Sequence, residues 1–187
     1  AWFVVYGPRA SLASWLRRFF RGGWSAGVRA MGLDVLIAFA VMAAGIAPGW
    51  LLVAGEPDWY GAIVPGQFSD TRVPGASRAA LQATLDGTQG ASGLSVFSAY
   101  LFSNNAQVAI LAFALGFAFG IPSLMLLVHN MAGLGAMLWL FAGQGLLVDF
   151  LAWLSVHGTT ELFAILLAGA SGVHIGRSMA FPGQLSV

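Results

Sequence analysis

Residues 102–182 are almost wholly apolar, yet a few polar side chains interrupt them at separate places. A helix on the surface of a soluble protein carries a charged face opposite its apolar stripe, and this stretch has too few charges to supply one. In a bilayer a buried polar group is costly, so those that remain usually have a partner or a function. The stretch therefore predicts a membrane protein, and its polar residues are the candidate functional residues: Asn104, Asn105, Asn130, Asp149, His157 and Glu161.

The composition extends this prediction to the whole chain. Only 8% of the 187 residues are charged, against about 25% in soluble domains. The net charge of +1 gives no general attraction to nucleic acid. There is no cysteine, which excludes disulfides, thiolate metal sites and cysteine nucleophiles. Since the chain starts at an alanine and ends soon after Phe181 without a closing element, we expect a fragment or a processed product.

Four segments are apolar over the roughly 20 residues that a helix needs to cross a bilayer. They are residues 33–54, 106–128, 131–152 and 162–181. The sequence therefore predicts an all-α, polytopic transmembrane bundle of about four spans within residues 33–187, with an extracytoplasmic loop at about residues 55–99. Pro48 and Pro122 are expected to kink the first and second spans, because proline removes a helical hydrogen bond.

Residues 1–32 precede the first span as a basic segment. Within residues 11–29 apolar side chains recur at helical spacing, and Arg17, Arg18 and Arg21 fall on the opposite face. This pattern predicts an amphipathic helix that lies either at an anionic membrane surface or against a preceding soluble domain. By the positive-inside rule these arginines predict a cytoplasmic N-terminus, which places Asp149 and His157 near the outer face.

The asparagines have a local explanation beside a functional one. Asn104 and Asn105 are expected to lie at the outer start of the second span, where an asparagine side chain caps free N–H groups. Asn130 is expected to form a tight turn between the second and third spans, because asparagine tolerates the left-handed conformation. His174 lies within the fourth span, and we expect it to pair with an asparagine or a carbonyl group.

The segment before the fourth span has two interpretations. In the first, Gly158 forms a turn and Glu161 complements the dipole at a helix start. In the second, Asp149, His157 and Glu161 form a polar cluster at the outer ends of the helices, with His157 bonding Glu161 four residues on.

Glycines are spaced for close helix packing. Gly116 and Gly120, and likewise Gly172 and Gly176, share one helix face, which lets backbones approach each other. The zinc-protease, nucleophile-elbow and phosphate-loop motifs are all missing from the sequence. We therefore expect no enzyme, no metal and no cofactor.

The order and spacing of these residues resembles the stage II sporulation protein M family over about the last 85 residues. The resemblance rests on Phe102-x-x-Asn105, Gly116, Gly120, Asn130, Gly133, Gly135, His157-Gly158-x-x-Glu161, Gly169, Gly172 and Pro182-Gly183. The chain departs from the family pattern at His129, which precedes Asn130, and at Met131, where a glycine often stands.

The resemblance implies a polytopic protein of the bacterial cytoplasmic (inner) membrane, in a family whose namesake scaffolds peptidoglycan-degrading enzymes. We therefore expect a non-enzymatic envelope scaffold, with the lipid bilayer and other envelope proteins as partners, among them peptidoglycan hydrolases or an ATPase. The alternative is a transport component or channel subunit that moves a small solute or lipid, with Asp149, His157 and Glu161 at its outer mouth. The glycine faces favour either packing within one chain or a homo-oligomer.

Overall fold

The computed structural model describes residues 11–68, 71–86 and 91–181, with the backbone alone at Gln67, residues 91–97 and His157. Every regular element in these residues is a helix, which confirms the predicted all-α fold. Contacts within the chain divide it into two units that meet at Gly32.

The N-terminal unit is an interrupted helix. Helix α1 covers Leu12–Arg18 and α2 covers Trp24–Ala30, and a π-helical turn, Phe19–Gly23, joins them. Gly22 has φ of 151°, a conformation that favours glycine, and this residue breaks the single helix expected over residues 11–29. Trp15 stacks on Phe19 with ring centroids 5.5 Å apart, and Trp24 also contacts Phe19 at 5.8 Å, so these three rings form one cluster.

The second unit contains the spans. Helix α3 is Gly32–Gly55, α6 is Ala91–Ala114, α7 is Ile121–Gly143 and α9 is Thr159–Ala180. Each provides a segment long and apolar enough to cross a membrane, and in α6 that segment runs from Ser98 through a 3₁₀ turn to Phe117. We call the four segments the first to fourth spans. The chain is a multi-pass membrane protein.

The expected limits of the second and third spans are wrong. The turn between them lies at residues 118–120, where Phe119 and Gly120 have φ of 59° and 75°, and not at Asn130. Pro122 sits in the first turn of the third span, where proline is well tolerated, so it starts a helix instead of kinking one. Residues 108–122 are apolar throughout, so hydropathy alone could not locate the break.

The third span also ends earlier than expected. It stops at Gly143, and a turn at Gly145, with φ of 68°, leads into a separate helix α8, Leu147–His157. Helix α6 begins at Ala91, well before the second span expected at residues 106–128. Pro48 lies inside α3, which runs unbroken from Gly32 to Gly55.

The residues between the first span and Asp86 fold onto the bundle, and we call residues 56–68 and 71–86 the loop layer. It contains α4 at Trp59–Ile63, a 3₁₀ turn at Gly66–Phe68 and α5 at Arg78–Leu85. Its buried side chains join a core with residues of α7 and α8: Tyr60, Phe68, Leu81, Phe141 and Phe150. The Arg78 guanidinium donates to the carbonyls of Gln144 and Gly145, at 2.7 and 3.2 Å, beyond the end of the third span.

Glycines bring the backbones of the spans into direct contact. A Cβ atom on Gly116 would overlap the Gly172 backbone, and one on Gly176 would overlap Gly120, so the second and fourth spans touch through their main chains. Gly49 meets Ala132 in the same way, between the first and third spans. The centre of the bundle is filled by buried apolar side chains: Ala38, Met42, Leu127, Met131, Ile165 and Ala170.

Candidate functional site

A hydrogen bond between Asn105 and Glu161 joins the second span to the fourth. Asn105 is only 8% exposed, and its Nδ2 donates to Glu161 Oε2 at 2.5 Å. Asn104 Nδ2 in turn donates to Asn105 Oδ1 at 3.3 Å. The two asparagines lie inside α6, which begins at Ala91. The expectation that they cap a helix start is therefore wrong, and their amides act between helices.

A cavity of about 90 Å³ lies beside this bond. It is lined by residues of the loop layer, the second and third spans, α8 and the start of the fourth span. Its polar lining comes from Asn104, Asn105, Asn130 and Arg72, and aromatic and aliphatic side chains such as Phe150 form the rest. The volume suits a few water molecules, which need polar partners of this kind.

Asn130 lies near the middle of the third span and lines the cavity. This location corrects the expectation of a turn residue. A polar side chain at that depth is costly against lipid, and the cavity gives it a polar surrounding shared with Asn104 and Asn105. The fold thus gathers all three asparagines from the sequence prediction around one space.

The residues at the start of the fourth span contribute unequally. Gly158 joins α8 to the fourth span, is buried and lines the cavity. Glu161 lies in the first turn of that span. Asp149 is exposed in the first turn of α8, and among the described residues no hydrogen bond joins it to Glu161. The side chain of His157, and with it the expected bond to Glu161, lies outside the described residues.

The site offers neutral amide groups for hydrogen bonding, with the Glu161 carboxylate next to them. Amide groups both donate and accept, so the cavity suits water or a small polar group. Within the described part of the chain no three histidine, cysteine, aspartate or glutamate side chains form a metal-binding group.

A second polar cluster lies at the opposite end of the bundle, where the first span starts and the fourth span ends. The sequence analysis did not predict it. Asp34 in the first span is 0% exposed, and its Oδ2 lies 2.7 Å from His174 Nδ1. Arg177 Nη2 donates to the same oxygen at 3.1 Å, while its Nε lies 2.9 Å from Oδ1. His174 therefore pairs with a carboxylate and not with the asparagine or carbonyl expected for it.

A signal for this second cluster was present in the sequence. Asp34 starts the first span, and Arg177 ends the fourth. Four consecutive spans of a bundle place these two ends on the same side, so an acid at one and a base at the other were candidates for a pair.

Comparison with known protein families finds a match over most of the chain. A sequence model of the family described as Stage II sporulation protein M matches residues 38–186, most of the chain. No curated protein and no solved structure matches the chain. The matched segment includes Asn104, Asn105, Asn130 and Glu161, and begins after Asp34.

Proposed function

The chain belongs to the stage II sporulation protein M family, and we propose on that basis that it is a non-enzymatic scaffold of the bacterial cytoplasmic membrane. In this proposal it holds envelope proteins in place, peptidoglycan hydrolases or an ATPase among them. The N-terminus lies in the cytoplasm and the loop layer faces the cell wall. The arginines near the first span support this orientation through the positive-inside rule.

The loop layer is the observation that carries the proposal. Tyr60, Phe68 and Leu81 are buried in the core that it shares with α7 and α8. Arg78 fixes it further by bonding the carbonyls of Gln144 and Gly145. A segment held in this way presents a preformed surface, and binding to such a surface costs less ordering entropy than binding to a free loop.

The interior supports a scaffold more than a conduit. The second and fourth spans touch through glycine backbones, and buried side chains such as Leu127 and Ile165 fill the centre. Two pairs of polar side chains join different spans, Asn105 with Glu161 and Asp34 with Arg177. Such pairs hold helices together, which is the role that a scaffold requires.

The experiment that tests the scaffold is site-specific photocrosslinking in native membranes. A photoreactive residue at Val73, which is exposed in the loop layer, should capture an envelope protein that mass spectrometry then identifies. The matched control is Phe39, which is exposed on the first span and should give lipid adducts only. Protein adducts at Phe39 with none at Val73 would contradict the loop layer as the docking surface.

The cavity favours a second candidate, a transport component that moves a small solute or lipid. Its asparagines place three amides inside the span region, where they could hydrogen-bond a polar solute. Asn130→Leu replaces one of these amides with an apolar side chain of similar size. The test compares solute flux through vesicles that contain the purified wild-type protein or the variant. If the wild type passes a solute, and the variant does not although it still binds its partners as the wild type does, transport replaces scaffolding as the function.

A further inference from the structure

One exposed face of the second span carries a polar side chain at mid-membrane depth. Gln107 is exposed, and its Nε2 donates to the exposed Ser103 Oγ one turn away, at 3.3 Å. The rest of this face is apolar, with Ile110 and Phe117 following at alternating steps of three and four residues. Such spacing gives the seam along which helices pair. We call this face, Ser103, Gln107, Ile110, Ala114 and Phe117, the span 2 ridge.

A groove between the first and third spans contains another exposed polar side chain. The groove has a volume of about 500 Å³, and its walls are almost wholly apolar: Val41, Leu52, Ile121, Met125, Val128 and Ala132. His129 also lines it and is exposed. Within the described part of the chain no hydrogen bond or ion pair involves His129. We call this surface the His129 groove.

The two polar side chains lie at similar depth. The turn at residues 118–120 joins the second span to the third, so Phe117 and Ile121 are at the same end of the bundle. At 1.5 Å per helical residue, Gln107 lies about 15 Å from that end and His129 about 12 Å from it. Both are therefore near the middle of a hydrocarbon layer about 30 Å thick, where polar side chains facing lipid are rare.

We propose that the His129 groove binds the span 2 ridge of a second copy of this chain, with Gln107 of one copy hydrogen-bonded to His129 of the other. All copies insert with the same orientation, so the two side chains meet at nearly the same depth without a shift along the membrane normal. The span 2 ridge is the convex face of a helix, and it would lie in the concave His129 groove. A carboxamide and a neutral imidazole each have a donor and an acceptor, so the hydrogen bond can form with either side chain as the donor.

This contact joins two different surfaces of each copy. Such head-to-tail interfaces leave a free ridge and a free groove at the ends of a pair, so they continue into a closed ring or an open row. Ile63 of the loop layer also lines the groove, and the rest of that layer remains available to envelope partners. The inference depends only on the four spans crossing the membrane, and it would survive the failure of the scaffold proposal.

Cysteine crosslinking tests the contact directly, because the chain has no cysteine of its own. Two differently tagged full-length chains, Gln107→Cys and His129→Cys, are expressed together, and their membranes are oxidised with copper phenanthroline. A disulfide-linked pair carrying both tags is expected. The control combines Gln107→Cys with Leu36→Cys, exposed on the first span outside the groove, and should give no mixed pair.

Two results would overturn the proposal. Crosslinking of Gln107→Cys with itself, with no mixed product, would indicate a symmetric pair of ridges. Monomeric wild-type protein in membranes, measured by energy transfer between labelled copies, would exclude self-association altogether. If the proposal holds, Gln107→Leu and His129→Leu each lower the association constant, measured by energy transfer, roughly 3- to 15-fold, the range of a hydrogen bond between membrane helices. The double variant should be no weaker than either single one.

Discussion

Arg177 in the last turn of the fourth span faces Asp34 in the first turn of the first span, with Arg177 Nε 2.9 Å from Asp34 Oδ1. The contact connects the beginning of the bundle to its end. Asp34 is completely buried while the Arg177 side chain is 44% exposed, so the carboxylate depends on Arg177 and His174 for its stabilisation, whereas the guanidinium retains access to the surroundings.

Removing Arg177 should therefore destabilise the protein more than its own exposure suggests. An uncompensated buried carboxylate costs several kcal/mol, whereas exposed pairs contribute less than about 1 kcal/mol. For Arg177→Met we expect a loss of about 2 kcal/mol, measured as a lower melting temperature in mild detergent. Adding Asp34→Asn removes the buried charge and should recover part of the loss. The exposed Arg17→Met is the control, and equal effects of the two arginine variants would contradict the dependence.

Glu161→Ala should destabilise the bundle by leaving the buried Asn105 amide without its acceptor. An unpaired buried polar group costs about 1–3 kcal/mol, and thermal unfolding in detergent measures this loss. Glu161→Gln is the matched control, because its amide oxygen still accepts from Asn105 Nδ2. The two variants should thus differ in melting temperature. Identical curves for both would mean that the bond contributes nothing to stability.

Gly172→Ala should prevent normal packing of the second and fourth spans. A Cβ at this position would overlap the Ala112 carbonyl and approach Ser123 Oγ to 2.9 Å, and backbone cannot move aside as a side chain can. We expect a loss of about 3 kcal/mol, seen as aggregation or a low melting temperature after extraction. Gly143→Ala is the control, since no atom lies within 4 Å of a Cβ built there. If both variants purify equally well, the backbones are not in contact.

The sequence predicted those features of the fold that depend on the length and polarity of its segments. Four spans follow from apolar length, and the glycines of the second and fourth spans were recognisable from their spacing of four. The turn at residues 118–120 was not predictable in this way. Its Phe119 adopts φ of 59°, which a phenylalanine rarely does, and the surrounding residues are as apolar as the spans.

The misplaced turn explains the error at the candidate site. Once Asn130 is read as a turn residue, it lies at the membrane surface and cannot meet Asn104 and Asn105. In the structure the same residue lies mid-span and lines their cavity. Long-range partners such as Asn105 with Glu161, or Asp34 with His174, depend on which faces of the spans meet, and one sequence does not contain that information.

Tyr60 allows a prediction about pH. It lies in α4 outside the spans and is 1% exposed, and no hydroxyl partner occurs among the described residues. Burial raises the pKa of its phenol above the usual value of 10.0, although the charge of Arg72 opposes this shift. The folded protein therefore holds the proton more tightly than the unfolded chain, so this contribution to stability is complete below pH 10 and is lost as the pH rises further.

Tyr60→Phe should remove that alkaline loss. It should also raise stability at neutral pH by about 1 kcal/mol, because a buried hydroxyl without a partner is replaced by hydrogen. The measurement is the melting temperature in detergent between pH 8 and pH 11, with tyrosinate absorbance recorded in parallel. Tyr100→Phe, at an exposed position, serves as the control and should follow the wild-type curve. A Tyr60→Phe variant that melts at a lower temperature at neutral pH would show that the hydroxyl has a partner.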